Sequence, residues 1–194
     1  MSSTLPNEKI CLEILKQEGC SDKVVRHVCV VNFVAMTLAK ACGANLELVN
    51  AGSWLHDVGR SRTHGVKHVS EGVAIARSRN LPEELVRVIS THVAAGFTED
   101  EAAAIGLPPG DYMPSSLEEK IVCHSDNLVG DDDIMTLQEA VEDLEVRGYR
   151  TTASRMKVMH EELSARCGID IDLLLEDSEV RTKALKRCAA YISR

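Results

Sequence analysis

The segment SDKVVRHVCVVNFVAMTLAKACG, residues 21–43, carries the clearest secondary-structure pattern in the chain. Apolar side chains recur in it at alternating steps of four and three residues, which is the period of one helical face. Ser21 suits the position before a first helical turn, and Gly43 suits the position after a last one. The apolar positions are Val24, Val28, Val31, Ala35, Leu38 and Cys42. The segment therefore predicts a long helix with one face in a core.

The same spacing continues on both sides of this segment, whereas the period of two that marks strands is not evident. Aromatic residues, which strands favour, are only 3% of the chain. Further helices are predicted at 7–19, 46–57, about 64–79, 82–92, 116–128 and about 136–167 with a break near Gly148, with a short helix after Thr98 and a last one from Ser178. We therefore expect an all-α fold, in which the Pro/Gly loop at 106–116 is a candidate lid.

Length and charge restrict the class of protein. The chain of 194 residues is long enough for a single domain with its own core. It has 22 Lys and Arg against 30 Asp and Glu, a net charge of −8, and this balance disfavours long nucleic acid as a partner. No apolar run reaches the roughly 18 residues that cross a bilayer, and the first residues lack the features of a secretory signal. We expect a cytoplasmic protein without a membrane partner.

The seven cysteines are odd in number and contain no C-x-x-C pair. Most of them fall on apolar helix faces, where a thiol packs as a small apolar side chain. We therefore predict buried, reduced thiols, and a zinc cage or a disulfide framework are the alternatives.

Several polar side chains fall on faces that are otherwise apolar. His27 lies on the apolar face of the helix at 21–43, His56 and Asp57 end the next helix, and Asp126 lies on the inward face of a later one. A lone interior histidine is usually a hydrogen-bonded core residue, but a buried carboxylate is costly unless it is paired or bound to metal. Imidazole and carboxylate groups from separate helices would destabilise a protein core unless they converge on a cation.

This order of residues resembles the HD superfamily of metal-dependent phosphohydrolases. The motif consists of His27, then His56 and Asp57 in LHDVGR, then Asp126 in EEKIVCHSDNLV. The resemblance covers roughly residues 21–127. It implies one domain with a five-helix core at about 21–130 and a C-terminal helical extension at about 131–194. It also implies that these four residues bind a first metal ion.

Two further segments, KHVSEGVAIA and VISTHVAAG, resemble those that supply a second ion in two-metal members of the superfamily. The matching positions are His68 and His92, and Asp57 would bridge the two ions. Imidazole and carboxylate ligands together suit Mn, Fe, Co, Ni or Zn, as one or two ions. The other helical histidines, His124 and His160, match nothing in the family and are predicted to lie on the surface.

A run of cations follows the His-Asp pair. Residues 58–79 contain one acidic residue and five Lys or Arg residues. The five are Arg60, Arg62, Lys67, Arg77 and Arg79. Such a run is often a solvated face, and for Arg77 and Arg79 that alternative stays open. Arg60 and Arg62 directly follow the motif, and a guanidinium fork suits phosphate. We predict Asp57, Arg60 and Arg62 as the catalytic group, and Arg60, Arg62, Lys67 and His64 as substrate ligands, with His64 also able to replace or assist His68.

These observations and the resemblance predict a metal-dependent phosphohydrolase. It would hydrolyse a phosphoester of a nucleotide or other small phosphate compound, with a hydroxide held by the metal as the nucleophile. One alternative is a phosphodiesterase that acts on cyclic phosphates or RNA ends, and another is a non-catalytic module that senses a metal or ligand. The expected partner is a small phosphorylated molecule, and assembly as a homodimer is left open.

Overall fold

The computed structural model describes residues 4–130, 133–176 and 178–189. These residues form helices, a 3-10 turn at Val58–Ser61 and one isolated bridge between Val129 and Ile134. The helices are α1 Glu8–Glu18, α2 Asp22–Cys42, α3 Leu46–Leu55, α4 His68–Ser78, α5 Glu83–Thr91, α6 Glu99–Ala104, α7 Leu117–Asn127, α8 Leu137–Val146, α9 Arg150–Cys167, α10 Ile171–Glu176 and α11 Ser178–Ala189. The all-α prediction is confirmed for the part of the chain that the structure describes.

Capping residues fix the ends of the first helices where the sequence predicts them. The side chains of Asn7 and Ser21 each accept a hydrogen bond from the backbone N–H three residues later. Gly19 and Gly43 end α1 and α2 with φ of 81° and 71°, a left-handed conformation that costs glycine little. Thr98 begins α6 with a capping box. The side chains of Asn7, Ser21 and Thr98 each accept a hydrogen bond from a backbone N–H that has no partner within its own helix.

Two helix boundaries differ from the prediction, and one helix was not predicted. α3 ends at Leu55 rather than at residue 57, and α4 begins at His68 rather than near residue 64. The backbone N–H of His68 bonds to the carbonyl of Gly65 at 2.9 Å, so a tight turn takes the place of the expected first helical turn. α10, which has six residues, was not predicted. The Asp170 side chain caps α10 by accepting from the backbone N–H two residues later at 2.9 Å.

α2 is the central helix of the bundle. It packs against α3, α7, α9 and α11, while α5 packs against α3, α4 and α7. One core contains buried side chains from most of the helices, including α1 and α11. Ala102 of α6 packs in a second, smaller cluster with Val69, Leu107 and Tyr112. By length and composition alone α2 could cross a membrane, as can the core helix of a helical bundle. The division into a core at about 21–130 and an extension stays a prediction.

The cysteines correct the expectation of reduced thiols. The structure joins Cys29 to Cys188 and Cys42 to Cys167 by disulfides, so the prediction is wrong for these four. The partners lie 159 and 125 residues apart and on different helices, so local spacing carried no sign of the pairing. The free thiols are Cys11, Cys20 and Cys123. Burial, assisted by the charge of Asp126, raises the pKa of Cys123 to about 12, which leaves this thiol unreactive.

Candidate metal centre

The predicted ligands come from five helices and meet at one end of the bundle. α2 supplies a histidine from its second turn, and α7 supplies an aspartate from its last turn. Two histidines follow the last residues of α3 and α5, and another is the first residue of α4. In chain order the converging side chains are His27, His56, Asp57, His68, His92 and Asp126. Most of these ligands lie at or next to helix ends, where a short side chain can extend beyond its own helix.

A first group of ligand atoms lies around the carboxylate of Asp126. Its Oδ1 is 2.9 Å from Nε2 of His27 and 3.4 Å from Nε2 of His56. Oδ2 of Asp57 lies 3.7 Å from Nε2 of His27 and 3.8 Å from Nε2 of His56. Two imidazoles and two carboxylates therefore face a common point.

A second group lies on the other oxygen of the same aspartate. Oδ1 of Asp57 is 3.1 Å from Nε2 of His68 and 3.5 Å from Nε2 of His92. The two imidazole Nε2 atoms are 3.0 Å apart. The two oxygens of Asp57 thus face different sets of ligands, as a bridging carboxylate requires.

Three histidines are oriented by backbone carbonyls. Nδ1 of His56 lies 2.8 Å from the carbonyl of Ser53, Nδ1 of His68 lies 2.9 Å from that of Gly65, and Nδ1 of His92 lies 2.7 Å from that of the third preceding residue. A carbonyl only accepts hydrogen bonds, so each Nδ1 carries the proton, and in the neutral ring Nε2 is left with its lone pair. Hydrogen bonds of this kind, made by the ring nitrogen that does not face the ion, orient metal-binding histidines.

Burial and charge at this site also fit a cation. Nε2 of His56 and Oδ1 of Asp57 are buried without a hydrogen-bond partner, and such atoms are costly unless something binds them. Burial alone would raise the pKa of Asp57, but the imidazoles of His56 and His68 hold the pKa well below its usual range. Burial lowers the pKa of His92. Burial alone would also lower the pKa of His56, but the charges of Asp126 and Asp57 outweigh it and raise that pKa. Ionised carboxylates beside several imidazoles are a ligand set for a divalent transition metal.

Two glycines let the His-Asp segment approach α4. A Cβ on Gly59 would lie 2.5 Å from the backbone nitrogen of Gly72, and closer still to the carbonyl oxygen of His68. A Cβ on Gly72 would lie 3.0 Å from the side chain of Ile89 in α5. The 3-10 turn after Asp57 and the start of α4 are therefore in direct backbone contact.

The site opens into a cavity of about 1190 Å³. His27, Asp57, His68 and Asp126 lie on its wall, whereas His56 is fully buried behind them. A molecule in the cavity can therefore reach both groups of ligands.

Arg60 is held against the site. Its Nε lies 2.5 Å from Oδ2 of Asp57, and its Nη1 lies 3.4 Å from the carbonyl oxygen of His64. Both Arg60 and His64 are on the cavity wall. The structure therefore brings these two of the predicted substrate ligands to the cavity.

Other cations of the run lie elsewhere. Arg62 is exposed and pairs with Glu71 at 3.0 Å, and Arg77 pairs with Glu83 at 2.7 Å on the surface. Lys67 is exposed where α4 begins. Arg62 and Lys67 are not among the side chains that line the described cavity, although both were predicted as substrate ligands.

His124 and His160 correct the expectation that they lie on the surface. Both are buried, and Nε2 of His124 is 3.0 Å from Nδ1 of His160. Burial, followed by the charge of His160, lowers the pKa of His124 to about 3. The signal was present in the sequence, because His124 lies three residues after Ile121 and four before Leu128, both of which are fully buried.

Several curated proteins have similar sequences, and they include the following two. A protein of Picrophilus torridus named tRNA (cytidine(56)-2′-O)-methyltransferase is 42% identical over 173 residues, which are 89% of this chain and 51% of that protein. The chain thus spans about half the length of this relative. An uncharacterized protein of Methanocaldococcus jannaschii is 46% identical over 123 residues, which are 61% of this chain and 72% of that protein.

The fold resembles a solved domain. The structure of the HD domain of the L. monocytogenes phosphodiesterase PgpH in complex with cyclic-di-AMP matches with a TM-score of 0.53 and 18% identity, over 87% of this chain and 97% of that one. The HD domain family itself matches residues 24–131, a range that includes all six converging ligands. The resemblance inferred from the sequence is confirmed, and the chain belongs to the HD domain family.

Proposed function

We propose that this protein is a metal-dependent phosphohydrolase that cleaves a phosphoester of a small phosphorylated compound. The observation that carries the proposal is the arrangement of Asp57, whose two oxygens face two separate groups of ligand atoms beside a large cavity. Paired metal sites of this type serve phosphoester hydrolysis. Membership of the HD domain family supports the same class of reaction.

The residues have distinct roles in this proposal. His27, His56 and Asp126 would hold one ion, His68 and His92 the other, and Asp57 both. Bound divalent ions supply Lewis-acid polarisation of the phosphoryl oxygens and activation of water. Arg60 holds the Asp57 carboxylate in place and, with five N–H donors on its guanidinium, can also contact a phosphate in the cavity.

A second candidate function is phosphodiester hydrolysis at RNA ends or in cyclic phosphates. One name favours it, since the solved PgpH domain is a phosphodiesterase in complex with cyclic-di-AMP. The P. torridus relative is named for tRNA, but as a methyltransferase, so its name suggests an RNA ligand and not this reaction. The net charge of −8 argues against a long nucleic-acid interface, but a single strand end needs few cations. A third candidate, a sensing module without turnover, would have the same ligands and no activity.

One panel of substrates separates these functions. Protein loaded in turn with Mn²⁺, Fe²⁺, Co²⁺, Ni²⁺ or Zn²⁺ is assayed with nucleoside monophosphates, dinucleoside phosphates, cyclic nucleotides and short oligoribonucleotides. Release of phosphate from monoesters supports the first candidate, and ring opening or terminal cleavage supports the second. Metal binding without turnover on any member of the panel would contradict both and favour the sensing module.

His92→Ala should remove one ion and leave the other. The second group has fewer protein ligands than the first, so titration of metal-free protein should reveal a strong and a weak class of binding, and the variant should lose only the weak class. Equilibrium dialysis with metal analysis measures both. Asp143→Asn, which changes a residue of the same cavity that belongs to neither ligand group, is the control. A stoichiometry of one ion per chain in the wild type would exclude two ions.

Arg60→Lys should lower activity on the true substrate about 10- to 150-fold, because lysine keeps the charge but loses the bidentate, charge-assisted contact. Metal content should stay at the wild-type value. Arg77→Lys is the matched control, since Arg77 pairs with Glu83 on the surface, and it should retain full kcat/KM. Equal kcat/KM for the two variants would remove Arg60 from the substrate site.

A further inference from the structure

Part of the cavity wall comes from outside the segment that matches the HD domain family. That match ends at residue 131, yet the wall continues with side chains of α8, of the α8–α9 connection and of α9. They are Ala140, Asp143, Leu144, Arg147, Tyr149 and Thr152. The C-terminal helices therefore shape the same cavity as the metal centre.

We propose that this C-terminal wall binds a nucleobase, with Tyr149 as the stacking surface. The inference rests on the proposed function, in which the phosphate of the substrate lies at the metal centre. It assigns a binding surface to the remaining part of that substrate. Nucleotides combine an anionic phosphate with a flat, mostly apolar base. The side chains that line the cavity include both metal ligands and apolar groups.

The size of the cavity argues for such an extended substrate. Its volume of about 1190 Å³ lies above the usual range of ligand pockets, which is roughly 300–1,000 Å³. A phosphate group beside Asp57 would occupy a small part of this space. The substrate therefore extends away from the metal centre.

The chemistry of the cavity beside the C-terminal wall argues for a base. Leu144 and Tyr149 give this wall an apolar and an aromatic group, and the same cavity is also lined by Val93, Phe97, Val129 and Met135. Thr152 adds a hydroxyl to the C-terminal wall, and Asn127 adds an amide to the cavity. Such groups can hydrogen-bond to the edge of a base, which an acyl chain would not use. A flat apolar face with polar edges is the ligand that this wall fits.

Tyr149 has the exposure that a stacking surface needs. The chain has only six aromatic residues, of which Trp54 and Tyr112 are buried, but Tyr149 is 52% exposed. The guanidinium of Arg147 lies 5.3 Å from its ring centroid and is held by Asp143 at 3.0 Å. An aromatic ring flanked by arginine is a common surface for stacked bases, since every base has a flat face.

The test compares ligands with and without a base. Metal-loaded wild type, Tyr149→Ala and Tyr149→Phe are titrated with the slowly hydrolysed 5′-thiomonophosphates of adenosine and cytidine, and with ribose 5-phosphate. Tyr149→Ala should weaken binding of both nucleotides about 5- to 150-fold, the range for loss of one base–aromatic stack. Binding of ribose 5-phosphate should not change, and Tyr149→Phe should retain wild-type affinities.

Val146→Ala is the matched control, because Val146 precedes the same connection, is 88% exposed and is not on the cavity wall. Equal weakening of all three ligands by Tyr149→Ala would overturn the base subsite, as would wild-type protein that binds ribose 5-phosphate as tightly as the nucleotides. Neither result affects the hydrolytic assignment. Selective loss of nucleotide binding without turnover on the substrate panel would sustain the subsite and refute the phosphohydrolase.

Discussion

Asp57→Asn should remove both metal ions and lower kcat/KM on the true substrate at least about 10³-fold. The two carboxylate oxygens of Asp57 face different ligand groups. Oδ2 lies toward His27 and His56, and Oδ1 lies toward His68 and His92. An amide keeps the shape of the carboxylate but loses the charge that the ions need. Metal analysis of the purified variant, together with steady-state kinetics, measures the effect.

Asp143→Asn is the control for this result. Asp143 lines the same cavity but belongs to neither ligand group, so its variant should retain two ions per chain. Thermal unfolding of both variants establishes that they are folded. Two ions in folded Asp57→Asn protein would contradict the bridging role and, with it, the basis of the proposed function.

Gly59→Ala should destabilise the protein by about 3 kcal/mol or more, at the upper end of the range for overpacked sites. The added methyl group would meet the backbone of His68 and Gly72, and backbone atoms cannot move aside as a flexible side chain can. Separation of the 3-10 turn from α4 would also move His68 away from Asp57. We therefore expect loss of the weaker class of metal binding as well as a lower free energy of unfolding in denaturant.

Gly65→Ala provides the comparison, because nothing lies within 4 Å of a Cβ at that position. It adds the same methyl group in the same segment and should change stability little. Wild-type stability and two bound ions in Gly59→Ala protein would show that the contact between the 3-10 turn and α4 is not needed to form the site.

Local rules in the sequence accounted for the parts of the fold that depend on neighbouring residues. Ser21 and Gly43 marked the ends of α2 because caps act within one helical turn. The start of α4 was misplaced because a tight turn, closed by the bond from the His68 N–H to the Gly65 carbonyl, precedes it. The contact of Gly59 with the backbone of His68 and Gly72 joins elements that local periodicity treats separately.

At the candidate site, too, positions that stand out locally were predicted, whereas contacts between distant side chains were not. His27, His56 and Asp126 stood out because their positions are polar on apolar faces, and the structure places them together. The role of Arg62 was predicted from its position directly after the His-Asp motif and from the chemistry of its guanidinium group. Its pairing with Glu71 at 3.0 Å is a contact between side chains that a count of charges cannot reveal.

Tyr149 escaped notice for a related reason. It follows Gly148 in a segment that the sequence indicated only as a break between helices. Its relation to the metal centre depends on how α8 and α9 pack against the rest of the bundle, and no residue near it signals that packing. The family motif does not include His160, so it gave no sign that this residue is buried. Met156 and Leu163, one helical turn away, are buried on the same face.

The disulfides make the backbone into two nested rings. The bond between Cys42 and Cys167 encloses every converging ligand except His27, and the bond between Cys29 and Cys188 encloses that ring. A single nick anywhere between residues 43 and 166 would therefore leave one covalent molecule. The piece with His56 and the piece with Asp126 would stay joined after cleavage in the loop at 106–116, and would separate only in the presence of both denaturant and reductant.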